Sequence, residues 1–167
     1  MGHRPLVRPC YKPSGDWKTM IDFNELIPEM REWNNGKGID LEGWISCLGN
    51  FRLAVGYTAI FWPRFVEFEQ YVLRDGFSLG PLRDFERASG GDRRKVEAVM
   101  NHLHIADIQH YGCEDINRQR VVYLGRVLSE IYKAKLAWQF TAKQFEVWFN
   151  DSAGDNLIAY ELTFYQI

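Results

Sequence analysis

A short segment in the second half of the chain, NHLHIADIQHYGC, gathers the side chains best suited to chemistry. It contains His102, His104, Asp107 and His110 and ends at Cys113. Imidazole is a common transition-metal ligand and a common general base, so three histidines this close together indicate a metal site or an acid–base site. Any active site in this chain is therefore expected here first.

Secondary structure decides which of these histidines can act together. In a helix, His102 and His104 point roughly 200° apart and cannot bind one metal ion, whereas alternate residues of a strand face the same way. A metal site would use His102, His104 and His110. The segment has no H-E-x-x-H motif, and the rest of the sequence offers no obvious further ligand. A chain without a bound metal or other cofactor is the favoured expectation.

Helical spacing favours a different set. The helix predicted after Asp92 extends to about His110 and places Asn101, His104 and Asp107 on one face. His104 could then act as a base oriented by Asp107, with His110 near the end of the helix, and these three are the catalytic candidates. The favoured alternative is that His104 is a half-buried, hydrogen-bonded histidine and that the other histidines lie on the surface.

The cysteines support few chemical roles. Cys113 lies just before a helix predicted to be capped by Asp115, where a thiol can have a lowered pKa, but a nucleophilic cysteine here is a minor alternative. Cys47 is predicted to be a thiol in the hydrophobic core. Together with Cys10 the chain has three scattered cysteines and no C-x-x-C, which argues against disulfides or a zinc finger. The N-terminal residues lack an apolar core of signal-peptide length and are interrupted by prolines, which predicts the cytoplasm.

The charged residues argue against a nucleic-acid partner and against membrane insertion. Lys and Arg number 20 against 22 Asp and Glu, a formal net charge of −2, and no basic cluster indicates a nucleic-acid partner. The apolar stretch from Trp44 to Pro63 approaches the length of a membrane span, but Arg52 would lie near the bilayer centre, so no membrane insertion is expected. The oligomeric state is left open.

Aromatic residues are abundant, with 6 Trp, 8 Tyr and 11 Phe. Trp148 is predicted on the outer side of a strand, and Glu67 and Glu69 interrupt the aromatic segment FVEFEQY; these three are the predicted protein-binding residues. The chain is therefore interpreted as a non-enzymatic protein-binding module of the immunity or adaptor type, with another protein as its partner. A small metal-assisted hydrolase that uses the His102–Cys113 segment is the alternative. No motif identifies a family.

The order of the patterns predicts an α+β fold. Residues 1–15 form an extended, proline-punctuated segment, and residues 16–167 form one domain of five or six helices on a C-terminal antiparallel hairpin or small sheet. The helix N-caps are predicted from the sequence as follows: Asp22, Asp40, Ser78, Asp92 and Asp115. Alternation over residues 145–149 and 158–164 predicts the two strands of the hairpin.

The hydrophobic core is expected to centre on residues 44–73, where apolar and aromatic residues are densest. Residues 51–62 carry apolar side chains on every helical face, which predicts a fully buried helix. Beyond Pro63, periodicity does not separate helix from strand, and a helical turn followed by a short extended piece is favoured.

Overall fold

The computed structural model describes residues 21–109 and 113–167. The chain divides between Cys47 and Leu48 into two compact units, which are described in turn. The predicted extended segment, residues 1–15, and His110 both lie outside the described residues. Among the residues described, no helix combines the length and the apolar character needed to cross a membrane.

The first unit consists of short helical pieces. They are α1 (Phe23–Leu26), a 3-10 turn (Pro28–Glu32), the helical turn α2 (Trp33–Gly36) and α3 (Leu41–Leu48), whose last residue already belongs to the second unit. Both predicted caps are confirmed, because Asp22 accepts a hydrogen bond from the amide of Asn24 and Asp40 accepts one from Gly43. Cys47 is exposed, so its assignment to the core was wrong.

The second unit contains the longer helices. They are α4 (Phe51–Phe61), α5 (Leu79–Ser89), α6 (Arg93–Met100) and α7 (Arg118–Gln139). The cap of α6 at Asp92 is confirmed. The longest helix begins later than predicted, because the side chain of Asn117, and not that of Asp115, accepts the hydrogen bond from the amide of Arg120.

Two small antiparallel sheets complete the α+β fold. The first is a hairpin of β1 (Phe65–Phe68) and β2 (Tyr71–Arg74), so the helical turn expected after Pro63 was wrong. The second has the order β3-β5-β4, with β3 (Leu103–His104), β4 (Phe145–Phe149) and β5 (Glu161–Gln166). Val147 faces Phe164 in the β4–β5 register, which confirms the predicted C-terminal hairpin, although β5 begins later than expected.

Two helices cover opposite faces of the three-stranded sheet. The buried residues Leu128, Tyr132 and Leu136 of α7 belong to one core cluster with Val147 and Phe164. On the other face, the hydroxyl of Thr163 donates a 2.6 Å hydrogen bond to the carbonyl of Ala98 in α6. Because successive strand residues alternate between faces, the C-terminal hairpin is sandwiched between these helices.

Polar side chains from α6 join the two sheets. Glu97, which has no exposed surface, accepts hydrogen bonds from the amides of Val72 and Gln166, each at 2.7 Å. One turn later, the side-chain amide of Asn101 donates to the carbonyls of Val72 and Phe164, at 2.9 and 3.2 Å. These two side chains bind backbone groups of both β2 and β5 and so satisfy polar groups inside the domain.

The placement of the aromatic-rich stretch was only partly predicted. Phe65, Tyr71, Val72 and Leu73 are buried, but α3 and α4 contain no buried residue. The expectation of a fully buried helix over residues 51–62 was therefore wrong, and the apolar side chains of α4 mostly face solvent.

Candidate interaction surface

Helix α4 is held at its ends by local hydrogen bonds. The side chain of Asn50 accepts hydrogen bonds from the amides of Arg52 and Leu53, at 2.8 and 3.4 Å, which caps the first turn. At the other end the amide of Trp62 donates to the carbonyl of Thr58, and Pro63 cannot continue the helix. These signals fix where α4 begins and ends without specifying what its sides contact.

Among the described residues, contacts that anchor α4 are found in its C-terminal half. Ile60 and Phe61 are partly buried and pack against the core that α7 covers, and the hydroxyl of Tyr57 accepts a hydrogen bond from the side-chain amide of Gln109. The six residues of the first half, 51–56, are all exposed. The helix is therefore attached by its last turns and leaves its first turns open.

The outward side of α4 is apolar. Phe51, Val55 and Ala59 recur every four residues, and Trp62 follows, so their side chains lie along one face opposite Tyr57 and Ile60. Phe51 is 91% exposed and Val55 is 70% exposed. Such a row of apolar residues normally faces the core of a domain.

A second tryptophan extends this surface. The ring of Trp138, from α7, lies 6.1 Å from the ring of Trp62, tilted by 43°, and the two side chains are 63% and 52% exposed. Together, five residues form a surface that we call the α4 face: Phe51, Val55, Ala59, Trp62 and Trp138. The ammonium group of Lys135 lies over both tryptophan rings.

A cleft of about 550 Å³ borders the α4 face at Trp62. Its walls include Ala59 and Pro63 together with two cationic side chains, Arg64 and Arg74. Arg64 lies 3.6 Å from the carboxylate of Asp75, and this pair is largely exposed to solvent. The surroundings of Trp62 therefore carry an excess of positive charge.

Comparison of the chain with protein-family models, with curated proteins and with solved structures gives no match. A function for the chain has to be inferred from the arrangement of its own residues.

The three predicted protein-binding residues do not share one set of contacts. Trp148 is 47% exposed and lies on the α6 side of β4, opposite the side of Val147. Glu67 pairs with Lys143, and Glu69 pairs with Arg83, which holds the pKa of Glu69 below its usual value. The partial exposure of Trp148 agrees with the predicted alternation of the strand. Both glutamates already have cationic partners within the chain.

The predicted helix through the histidines was wrong, because α6 ends at Met100 and His104 lies on β3. Asn101, His104 and Asp107 therefore do not share a helical face. The Nδ1–H group of His104 donates a 2.7 Å hydrogen bond to the carbonyl of Ile158, and Nδ1 lies 3.5 Å from the carboxylate of Glu161. Asp107 lies in the 3-10 turn that follows, Ile105–Ile108.

Two of the histidines lie close together, His104 on β3 and His102 just before it. The ring centroids of His102 and His104 are 5.1 Å apart. Nδ1 of His102 donates to the carbonyl of Val99, so both rings use Nδ1 in a backbone hydrogen bond and leave Nε2 as the unprotonated nitrogen of the neutral form. Within residues 21–109 and 113–167, no group of three His, Cys, Asp or Glu residues is arranged to hold a metal ion.

The environment of Cys113 disfavours a nucleophilic thiol. Its Sγ donates a hydrogen bond to the carboxylate of Asp115 at 2.8 Å. This hydrogen bond stabilises the protonated thiol and raises the pKa of Cys113 above its ordinary value, the opposite of the lowering expected near a helix N-terminus. The structure thus corrects the expected direction of that pKa shift.

Proposed function

We propose that this chain is a non-enzymatic, cytoplasmic protein-binding module of the immunity or adaptor type, and that it binds its partner protein through the α4 face. The observation that carries the proposal is the exposure of Phe51 and Val55 on a helix otherwise built like a core helix. Apolar side chains in such a row are stabilised when a second apolar surface removes them from water. A partner protein would supply that surface.

The size of the α4 face supports a protein partner. Taking roughly 200 Å² for a fully exposed aromatic side chain, its five residues expose on the order of 600 Å² of apolar surface. This equals or exceeds the largest apolar patch of a typical monomer, about 300–600 Å². It also approaches the roughly 800 Å² that each partner buries in a stable complex. The cleft beside Trp62 would provide part of the rim.

The charges near the α4 face favour a different protein over a second copy of this chain. Arg52 lies on α4 and Lys135 lies under the two tryptophans, and both are cationic. A two-fold dimer through this face would present the same cations to each other, because a two-fold interface pairs identical patches. A partner with an apolar surface and neighbouring carboxylates is complementary to it.

The experiment begins by placing a photo-crosslinking amino acid at Val55 or at Arg87, an exposed control position on α5, to identify the protein in contact with α4. The identified protein is then purified and its affinity is measured by calorimetry. We expect a one-to-one complex whose Kd rises at least 30-fold in Phe51→Asp or Val55→Asp. The control Ile167→Asp, which also adds a charge to an exposed apolar position, should change the Kd less than two-fold.

Several results would contradict this proposal. Crosslinks from Val55 only to copies of the same chain would identify a self-association surface, and crosslinks only to lipid would identify a membrane-surface helix. Equal weakening by Ile167→Asp would show a non-specific effect of added charge. If Trp148→Ala abolished binding while Phe51→Asp did not, the binding surface would be the one around Trp148 on the α6 side of β4.

A small metal-assisted hydrolase is the second candidate, and the proximity of His102 to His104 is the observation that favours it. Imidazole nitrogens suit zinc, copper and nickel, and alternate residues of a strand can share one ion. Zinc titration of the purified chain by calorimetry tests this candidate. Stoichiometric binding that is lost in both His102→Ala and His104→Ala would support it, whereas binding unaffected by either change would exclude these ligands.

A further inference from the structure

Lys135 is a cationic residue on the inner side of the two tryptophans and has no anionic partner in the described structure. Its side chain lies on α7 and the residue is 6% exposed. The ammonium nitrogen is 4.5 Å from the ring centroid of Trp62 and 5.4 Å from that of Trp138. Within residues 21–109 and 113–167 it forms no ion pair or hydrogen bond, so the two aromatic rings are its only electrostatic partners there.

Aromatic rings satisfy only part of the binding capacity of an ammonium group. Each indole face attracts the cation through its quadrupole, but neither ring accepts the hydrogen bonds that the three N–H groups can donate. A carboxylate could both neutralise the charge and accept those hydrogen bonds. Lys135 is therefore prepared for an anion that the described part of the chain does not provide.

The surroundings of Lys135 restrict the kind of anion. Both tryptophans above it are about half exposed, so a ligand that reaches the ammonium also contacts apolar ring surface. Arg64 and Arg74 line the cleft on Trp62, and their charge attracts a further acidic group. A ligand that combines a carboxylate with an adjoining apolar group matches this arrangement better than a small inorganic anion does.

We propose that Lys135, Trp62 and Trp138 form a receptor for an acidic side chain of the partner protein, in a segment where Asp or Glu adjoins apolar residues. This inference rests on the proposed function and specifies the chemistry of the partner at the α4 face. The tryptophans bind the apolar part of the segment, and Lys135 pairs with its carboxylate. Removal from water on binding strengthens the pair relative to an exposed ion pair.

The experiment uses the full chain and two small probes of the same shape. The probes are 4-phenylbutyrate, which carries a carboxylate, and 4-phenylbutan-1-ol, which does not. Binding is followed by the indole N–H signals in ¹⁵N-correlated NMR spectra, with Trp62→Phe and Trp138→Phe used to assign them. We expect phenylbutyrate to shift both signals saturably, with a Kd at least five-fold lower than that of the alcohol.

The matched variant is Lys135→Met, which retains the length of the apolar stem and removes the charge. We expect the two probes to bind this variant within two-fold of each other, with the alcohol unaffected, and a dispersed NMR spectrum would show that it is folded. In the native chain the preference for the carboxylate should decrease at high salt. Arg87→Met, a control on α5, should leave the preference unchanged.

Two results would overturn the inference: equal affinities of the two probes for the native chain, or a carboxylate preference that persists in Lys135→Met. Either one removes the assigned role of Lys135 and leaves the partner-binding experiment on Phe51 and Val55 unaffected. Conversely, selective probe binding combined with unchanged partner affinity in Phe51→Asp would contradict the proposed function alone. The two failures are therefore distinguishable.

Discussion

Glu97 occupies a position that few side chains could fill. Its carboxylate accepts hydrogen bonds from the amides of Val72 and Gln166 and from the side chain of Gln166, and it has no exposed surface. Three donors converge on two oxygens, so an acceptor-only group is required. The residue connects β2 to β5, which explains why a charged side chain is retained inside the domain.

We predict that Glu97→Gln lowers the free energy of unfolding by about 2 kcal/mol, because the new NH₂ group faces backbone donors and loses charge-assisted hydrogen bonds. The neutral amide is easier to bury, which offsets part of that loss. Urea unfolding measures the change. Glu114→Gln, at an exposed position, serves as the control and should change stability by less than about 0.5 kcal/mol. Equal stability of Glu97→Gln and the native chain would contradict the bridging role.

At the level of elements, the close contact between α7 and β4 depends on a glycine, Gly125, which has no side chain. A Cβ atom at Gly125 would lie 2.1 Å from Cζ of Phe149 and 2.3 Å from its Cε2. The ring of Phe149 therefore occupies the space that any other residue at position 125 would need. This close approach accounts for a glycine in the middle of the longest helix, where glycine is unfavourable.

The substitution Gly125→Ala combines two opposing effects on the free energy of unfolding. Alanine favours the helix by about 1 kcal/mol, whereas the displaced ring of Phe149 costs about 1–3 kcal/mol in a packed region. We predict a net loss of about 1 kcal/mol, measured by urea unfolding. The double variant Gly125→Ala with Phe149→Leu should lose less stability than the two single changes together, because the clash is absent. A stabilised single variant would show that the ring moves without cost.

The sequence predicted those elements whose signals are local. Alternation identified the C-terminal hairpin, and polar caps located the starts of α1, α3 and α6. The end of α6 was missed because it depends on a distant contact: the side chain of Asn101 bonds the carbonyls of Val72 and Phe164. The histidines beyond it consequently lie on and beside a strand, an arrangement that helical spacing could not indicate.

The exposure of α4 illustrates a further limit of sequence patterns. Apolar composition shows that a helix avoids water, but it does not show whether the same chain or another molecule covers it. The apolar side chains of Phe51 and Val55 are compatible with a helix covered by its own chain and with one covered by a partner, and only the structure shows that they are exposed. The Lys135 site was also not predicted, because Trp62 and Trp138 are far apart in the sequence and helical periodicity gives no signal for their meeting.

For the whole molecule, the two compact units raise the question of independent folding. The second unit has its own core clusters, and every buried residue in them lies between Phe65 and Phe164. The bridge formed by Glu97 and Asn101 also lies entirely within this unit. Among the described residues, the interactions that define its two sheets come from residues after Leu48.

We predict that a fragment of residues 48–167 folds on its own and unfolds in one cooperative transition, since a self-contained core is the requirement for an independent domain. Urea unfolding followed by both circular dichroism and fluorescence tests this, and the two curves should coincide.

Because α4 remains exposed in the fragment, aggregation could mask the result, so the same fragment with Phe51→Asp is the matched control. If that variant is monomeric but lacks dispersed NMR signals, the prediction is wrong and residues 16–167 form one inseparable domain. If it is folded, the contacts of α4 within the second unit, which include Ile60, Phe61 and the hydrogen bond from Gln109 to Tyr57, suffice to hold the helix.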